Sequence, residues 1–342
     1  MPEKHLHING HETAVVIGNG LTARLDAFDN SRLVCLVDEQ VYAHHTEKFR
    51  GRQCILIPQG EKHKSLAFAE EVMRRMIAIE ADRTSFLVGI GGGLVTDLAG
   101  FVASTFMRGI SFGFISTTLL GQVDASIGGK NGVNLDGFKN MIGVIRQPEF
   151  VWCDLSLLES LPQNELTSGF AEVIKYGAIR DSSLFEFIEH NHVKVHARDP
   201  VALERIVSDS AGIKIDIVSA DVLEQGERKL LNFGHTLGHA IEKLSGRLHG
   251  EAIAIGMVLA ARISVNLGFL QPASADRLET LIAAAGLPVR TEIDHEELFN
   301  TLLKDKKRSG KDIHFILLRE IGEAFIHKMQ LDTLRTVIND LY

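Results

Sequence analysis

Two regimes of hydrophobic periodicity divide this chain. In the first, short β-branched runs at residues 14–18, 33–38, 54–58 and 86–90 alternate with helix-like segments, among them the amphipathic stretch 64–81. Runs of that length alternating with helical periodicity are the signature of βαβ units and a parallel sheet, whose ligands sit at the carboxyl ends of the strands. From about Leu157 the pattern becomes helical, over 164–179, 201–222, 230–244, 251–267 and 273–285, with one strand-like run left at 313–318. The prediction is an α/β domain over residues 1–155 and an all-α domain over 156–342, with the functional site in the cleft between them. A length of 342 residues fits two cores better than one.

Composition narrows the class. With 36 Lys and Arg against 44 Asp and Glu, the net charge of −8 argues against a nucleic-acid partner, which needs a basic surface. The longest uncharged apolar stretches, such as 252–261, are about half of what a membrane span requires. The opening MPEKHLHING lacks the apolar stretch of a secretory signal, so a cytoplasmic location is expected. Cys35, Cys54 and Cys153 are odd in number, far apart and set in apolar runs, which reads as reduced core residues.

After the run at 86–90 come Gly91, Gly92 and Gly93, then a helix expected to begin near Leu94 and to carry Asp97. Backbone without Cβ atoms admits a pyrophosphate, and the free N–H groups of a helix start favour an anion. The triplet is not the G-x-G-x-x-G fingerprint, and similar turns occur with no ligand. The following segment carries Arg108, Thr117, Thr118, Asp124, Lys130, Lys139 and Asn140 within largely apolar surroundings. Buried charges need partners; a bound phosphate and nucleotide would supply them, and a purely structural ion-pair network is the other reading.

The helical half holds candidate metal ligands. Glu172 and Lys175 stand one turn apart on one helix face, which alone reads as a salt bridge. Asn232, His235 and His239 fall at i, i+3 and i+7, flanked by Gly234 and Gly238, and His249 opens the next apolar helix. Two His and one carboxylate from separate elements make a catalytic zinc set with positions left for substrate. The His235 and His239 pair is either a joint metal site or one ligand with one acid/base group. With no carboxylate inside the motif, the second is favoured.

The runs GGGLVTDLAGF, TTLLGQVDASIGGK, Lys139-Asn140, GFAEVIKYG, LLNFGHTLGHAIE, LHGEA and Asp305-Lys306-Lys307, in that order over 58–322, resemble the 3-dehydroquinate synthase family of sugar-phosphate cyclases. The resemblance implies a Rossmann-like α/β domain that holds NAD and an all-α domain that holds a divalent metal, zinc first and cobalt second, in a homodimer. By similarity the metal ligands are Glu172, His235 and His249. NAD would meet Asp38, Glu61, Lys64, Gly92, Gly93, Asp97, Thr117, Thr118, Lys130, Lys139 and Ser160, the last standing where the family usually has Thr. The implied substrate, 3-deoxy-D-arabino-heptulosonate 7-phosphate, would present its phosphate to Lys130, Asn140, His239, one of Lys306 and Lys307, and Arg108 of the partner subunit. Its carboxylate would meet Lys214, Arg228 and Asn232. His239 and Lys175 would serve in hydrogen bonding and proton relay, with Asp124 among the polar groups of the site. The reaction implied is transient oxidation by NAD, β-elimination of phosphate, re-reduction and intramolecular aldol closure to 3-dehydroquinate, a step of the shikimate pathway toward aromatic amino acids.

Relatives that cyclise sedoheptulose 7-phosphate or glucose 6-phosphate, which lack a carboxylate, change the carboxylate-binding positions, whereas Lys214, Arg228 and Asn232 are all kept here. Leaving a buried guanidinium without its anion costs roughly 2–5 kcal/mol, which favours the carboxylated substrate. A metal-dependent polyol dehydrogenase shares the glycine turn and would accumulate NADH; a catalytically dead binding homologue would have no need of the polar set. Asn131, Phe138, Ser116 and a short link between His239 and His249 depart from the family's usual pattern.

Overall fold

A computed structural model describes residues 2–8, 10–136, 138–306 and 312–339. The chain forms two compact units, Met1–Pro162 with Leu203–Val222, and Gln163–Ala202 with Leu223–Tyr342. Among the described residues no helix is long and apolar enough to cross a membrane.

The first unit begins with β1 (Glu3–Ile8), β2 (His11–Gly18), β3 (Leu33–Asp38), α1 (Glu39–His44), β4 (Gln53–Ile57), α2 (Leu66–Ala78), β5 (Phe86–Gly91) and α3 (Gly93–Thr105). It continues through β6 (Ser111–Ser116), β7 (Lys130–Leu135), β8 (Phe138–Ile145) and β9 (Phe150–Asp154). Seven strands form one sheet in the order β1-β2-β9-β6-β5-β3-β4, parallel except for β1 against β2. Parallel strands covered on both faces read as continuous apolar runs, as in β3, where Leu33 to Val37 are all buried. After β3 the chain moves outward to β4, then returns to β5 on the other side of β3. The carboxyl ends of β3 and β5 therefore flank the topological switch point, where open α/β sheets bind ligands. Gly91, Gly92 and Gly93 lie there, and α3 starts at Gly93. β7 and β8 form a separate hairpin.

The second unit contains α4 (Gln163–Ile179), α5 (Ser182–His196) and the start of α6 (Pro200–Ala220), most of which belongs to the first unit. There follow α7 (His235–Ser245), α8 (His249–Asn266), α9 (Pro272–Ala284), α10 (His295–Lys306), the antiparallel hairpin β10 (Asp312–Glu320) and β11 (Glu323–Gln330), and α11 (Leu331–Asn339). α8 is apolar on nearly every side, HGEAIAIGMVLAARISVN, and is correspondingly buried along most of its length. The sequence pattern predicts one helix over 230–244; instead Glu227–Asn232 is a short 3₁₀ segment, and Gly234, at φ 78°, turns the chain before α7 begins. Only glycine takes that left-handed conformation without strain. Asn232 thus precedes the helix whose face carries His235 and His239.

Candidate active site

In the first unit the polar residues of the glycine-turn region gather around Lys64. Its ammonium is 2.5 Å from Asp97 Oδ2 and donates to Asn140 Oδ1 at 2.5 Å. Asn140, at φ 53°, is held by its backbone N–H donating to Asn134 Oδ1 at 2.9 Å, and Asn134 in turn donates to Glu61 Oε1 at 2.8 Å. Burial pushes the Asp97 carboxyl up, with the Lys64 charge opposing. Glu61, Lys64, Asp97 and Asn140 are thus one connected set, and Asn134 joins it unforeseen. Asp97, Lys130 and Asn140 also line a cavity of about 470 Å³ against the β7–β8 hairpin.

Other predicted residues of this unit have separate partners. Asp38 caps α1, accepting from the N–H groups of Gln40 and Val41 at 2.9 and 3.2 Å. Ser160 Oγ donates to the Leu157 carbonyl at 3.2 Å and lies 2.9 Å from His45 Nε2. Thr118 Oγ1 accepts from Gly121 N–H at 3.0 Å, opening a π-helical turn, Gly121–Ala125, that carries Asp124. Lys214 donates to Asp124 Oδ1 at 2.7 Å. Thr117 is buried, whereas Arg108, Lys130 and Lys139 are exposed. Asn131 donates to the carbonyls of Gly129 and Arg146 at 2.8 and 2.9 Å. It fits because α3 has Gly100 opposite; a Cβ there would lie 1.8 Å from Asn131 Oδ1.

The second unit brings Glu172, His235 and His249 together. Glu172 is fully buried on α4, and its Oε1 lies 3.5 Å from Nε2 of each histidine. Lys175, one turn on and also buried, pairs with Glu172 Oε2. The three residues offer ligand atoms within 4.8 Å of one another, the span one metal ion requires. His235 Nδ1 is 3.1 Å from the Phe233 carbonyl, an acceptor only, so Nδ1 carries the hydrogen and Nε2 presents its lone pair. Burial lowers the His235 pKa to about 3, keeping it neutral as a metal ligand must be. At His249 the same desolvation is outweighed by Glu172 and Glu242, which lift it to about 9. A buried carboxylate facing two imidazole nitrogens, with a cation already drawn to its other oxygen, fits a divalent metal.

Glycine makes this convergence possible. His249 opens α8, and at Gly250 that helix touches α4 so closely that a Cβ would lie 1.9 Å from the Ser168 carbonyl oxygen. Gly250 N–H donates to Ser168 Oγ at 3.0 Å across the same contact. α7 and α8 meet through Gly256, whose Cβ would stand 2.0 Å from the Gly234 carbonyl oxygen.

His239 completes a group of three imidazoles, its ring centroid 5.2 Å from that of His235 and 6.0 Å from that of His249. Asn232 donates to Glu224 Oε1 at 2.6 Å, and Arg228 is buried in the turn before α7. Glu224, Asn232, His235 and His239 line a cavity of about 790 Å³ together with His314 and Lys328 of the β10–β11 hairpin. Lys306 closes α10, its side chain outside the described set, and Lys307 lies outside the described residues. Glu224 and Glu242 were not singled out by the sequence; Glu242 was accessible, being at i+7 from His235 on the same helical face.

The description "3-dehydroquinate synthase N-terminal" matches residues 54–168, and "3-dehydroquinate synthase C-terminal" matches residues 169–308. A 3-dehydroquinate synthase from Pelobacter propionicus is 43% identical over 322 residues, 93% of this chain and 90% of that protein. The chain belongs to the 3-dehydroquinate synthase family. Two solved cyclase structures share its fold. A 2-deoxy-scyllo-inosose synthase complexed with carbaglucose-6-phosphate, NAD+ and Co2+ is 25% identical, with a TM-score of 0.87 over 99% of this chain and 100% of that one. A 2-epi-5-epi-valiolone synthase from Streptomyces hygroscopicus subsp. jinggangensis, with NAD+ and Zn2+ bound, is 25% identical, with a TM-score of 0.88 over 98% of each chain.

Proposed function

We propose that this chain is a 3-dehydroquinate synthase, converting 3-deoxy-D-arabino-heptulosonate 7-phosphate to 3-dehydroquinate and inorganic phosphate with no net redox change. The observation that carries this reading is the convergence of Glu172, His235 and His249 on one point, in a chain that also keeps a buried guanidinium at Arg228. Those three side chains would hold a divalent ion, zinc or cobalt. The first unit would hold NAD, with the N–H groups at the start of α3 toward the pyrophosphate and the Lys64–Asp97–Asn140 set fixing the adjoining loops. When bound, NAD takes up and returns one hydride, and the divalent ion acts as a Lewis acid toward substrate hydroxyls.

The protein's own part is largely electrostatic positioning. Arg228 and Asn232 would take the substrate carboxylate, the always-charged planar guanidinium offering it a fork of N–H donors. His239, close to the two proposed histidine ligands, is placed to hydrogen-bond substrate oxygens and to pass a proton. Lys175 pairs with Glu172 Oε2 and so fixes the orientation of that carboxylate. The reading also includes a homodimer in the cytoplasm. Supporting the dimer, the β7–β8 hairpin exposes Leu135, Phe138, Met141 and Ile145.

The test is to supply NAD, zinc and the heptulosonate phosphate to the purified protein and follow phosphate and NADH together. Phosphate should appear with no accumulating NADH and stop on chelation. Arg228→Ala should lower turnover on the order of a hundredfold, since it removes a charge partner from the substrate carboxylate. Turnover of sedoheptulose 7-phosphate in preference, or net NADH, overturns the assignment.

A further inference from the structure

We infer that Glu242 is a positioning residue for the metal centre, holding His249 by its Nδ1 so that Nε2 faces Glu172. This rests on the proposed metal reading and adds to it a residue outside the ligand set. Glu242 Oε2 lies 3.2 Å from His249 Nδ1, while Nε2 of the same ring lies 3.5 Å from Glu172 Oε1. The two nitrogens of one imidazole point away from each other, so a ring that gives Nε2 to the ion has Nδ1–H to place elsewhere. Glu242, only 15% exposed in its side chain, is where it goes. Metal-bound histidines commonly donate their second N–H in this way, which fixes the tautomer and ring plane and makes the ligand more basic.

Comparison with His235 shows why His249 needs a carboxylate. His235 is anchored locally by the carbonyl of Phe233, two residues away. His249 is the first residue of α8, after a three-residue link from α7, and a helix's first turn has no intrahelical hold on its N–H groups. The Leu248 N–H is taken by Glu251 Oε2 at 3.1 Å, which fixes the backbone but not the ring. Glu242 supplies the missing restraint from the facing helix. It shares a stripe with His235, so α7 contributes one ligand directly and steadies the other.

A rival role is open to the same side chain, because His239, Glu242 and His249 also offer ligand atoms within 4.8 Å of one another. In that arrangement Glu242 is itself a ligand. The geometry favours the positioning role because the fully buried Glu172 is met by Nε2 of two histidines at equal distance.

The experiment measures zinc affinity of the metal-free full chain by competition with a chromophoric chelator, and the visible spectrum of the cobalt-loaded protein, in wild type, Glu242→Gln, Glu242→Leu and Glu172→Gln. A positioning role predicts that Glu242→Leu weakens zinc about 10–100-fold. Glu242→Gln, whose amide oxygen still accepts from Nδ1–H, should recover most of that loss with a cobalt spectrum like that of wild type. Equal losses in Gln and Leu with a changed cobalt spectrum would make Glu242 a ligand and overturn the proposal. Unchanged zinc affinity in Glu242→Leu, whatever its melting temperature, overturns it as well. If wild type fails to bind one ion, or Glu172→Gln binds as tightly, the metal reading itself fails, a result distinct from either.

Discussion

Replacing Gly250 by alanine tests whether the α4–α8 contact builds the metal centre. The new Cβ would stand 1.9 Å from the Ser168 carbonyl oxygen, 2.5 Å from its carbon and 2.8 Å from its Cα. All three are backbone atoms of α4, so no side-chain rotation relieves the overlap. Restoring ordinary contact requires about 1.5 Å of displacement at the first turn of α8, a case of overpacking that costs roughly 1–3 kcal/mol. The hydrogen bond from Gly250 N–H to Ser168 Oγ is stretched with it, adding about 1 kcal/mol. At about 2–4 °C per kcal/mol for a unit of this size, melting should fall by roughly 4–16 °C. His249 is the adjacent residue and moves with the turn, whereas a metal site tolerates only about 0.2 Å in its distances. Zinc affinity should therefore fall at least about tenfold, since ring placement alone carries that much. Chelator competition and thermal melting on the same samples measure both. A Gly250→Ala protein that binds zinc within twofold of wild type and melts unchanged refutes the reasoning.

Three further outcomes follow from the charges. His249 has a folded value of about 9, above the ordinary 6.5, so its contribution to the metal-free chain is full below about pH 6.5 and is lost as pH rises through 9. His235, near 3, contributes fully above about pH 6.5 and loses its contribution as pH falls toward 3. The metal-free protein should lose these contributions on either side of about pH 6.5, measured by denaturant titration across pH. Between pH 6.5 and 9 zinc uptake should release about one proton, visible calorimetrically in buffers of different ionisation enthalpy; no release at pH 7.5 contradicts the account. Lys64→Met removes the ammonium from Asp97 and Asn140 and should weaken NAD roughly 10–100-fold, the worth of a charge-assisted hydrogen bond; unchanged NAD binding by calorimetry would remove Lys64 from the nucleotide site.

How much of this was legible depended on burial. The runs at 33–38 and 86–90 stand out because β3 and β5 are covered on both faces, and the structure places them at Leu33–Asp38 and Phe86–Gly91. α4 and α8 were visible for the same reason. By contrast β8 is largely exposed, with Phe138, Met141 and Ile145 facing outward, so its apolar residues do not mark a core face. β11 has a single fully buried residue, Met329, and gave little strand signal. α5, SSLFEFIEHNHVKVH, buries Leu184, Phe185, Ile188 and Val195 along one face, but with only four buried positions the stripe is sparse and marks the helix weakly. At the site, Glu172, His235 and His249 stand out in the sequence as a carboxylate and two histidines set among glycines, and the structure brings their ligand atoms within 4.8 Å of one another. The turn at Gly234 and the role of Glu242 could not, since both depend on how two helices meet.

The most direct test of the metal centre is an anomalous difference map collected at the zinc edge from crystals of the zinc-loaded protein. The account predicts one peak bonded to Glu172 Oε1, His235 Nε2 and His249 Nε2 at about 2.0–2.2 Å, with Glu242 on His249 Nδ1. A peak among His239, Glu242 and His249 instead, or none near Glu172, would contradict it.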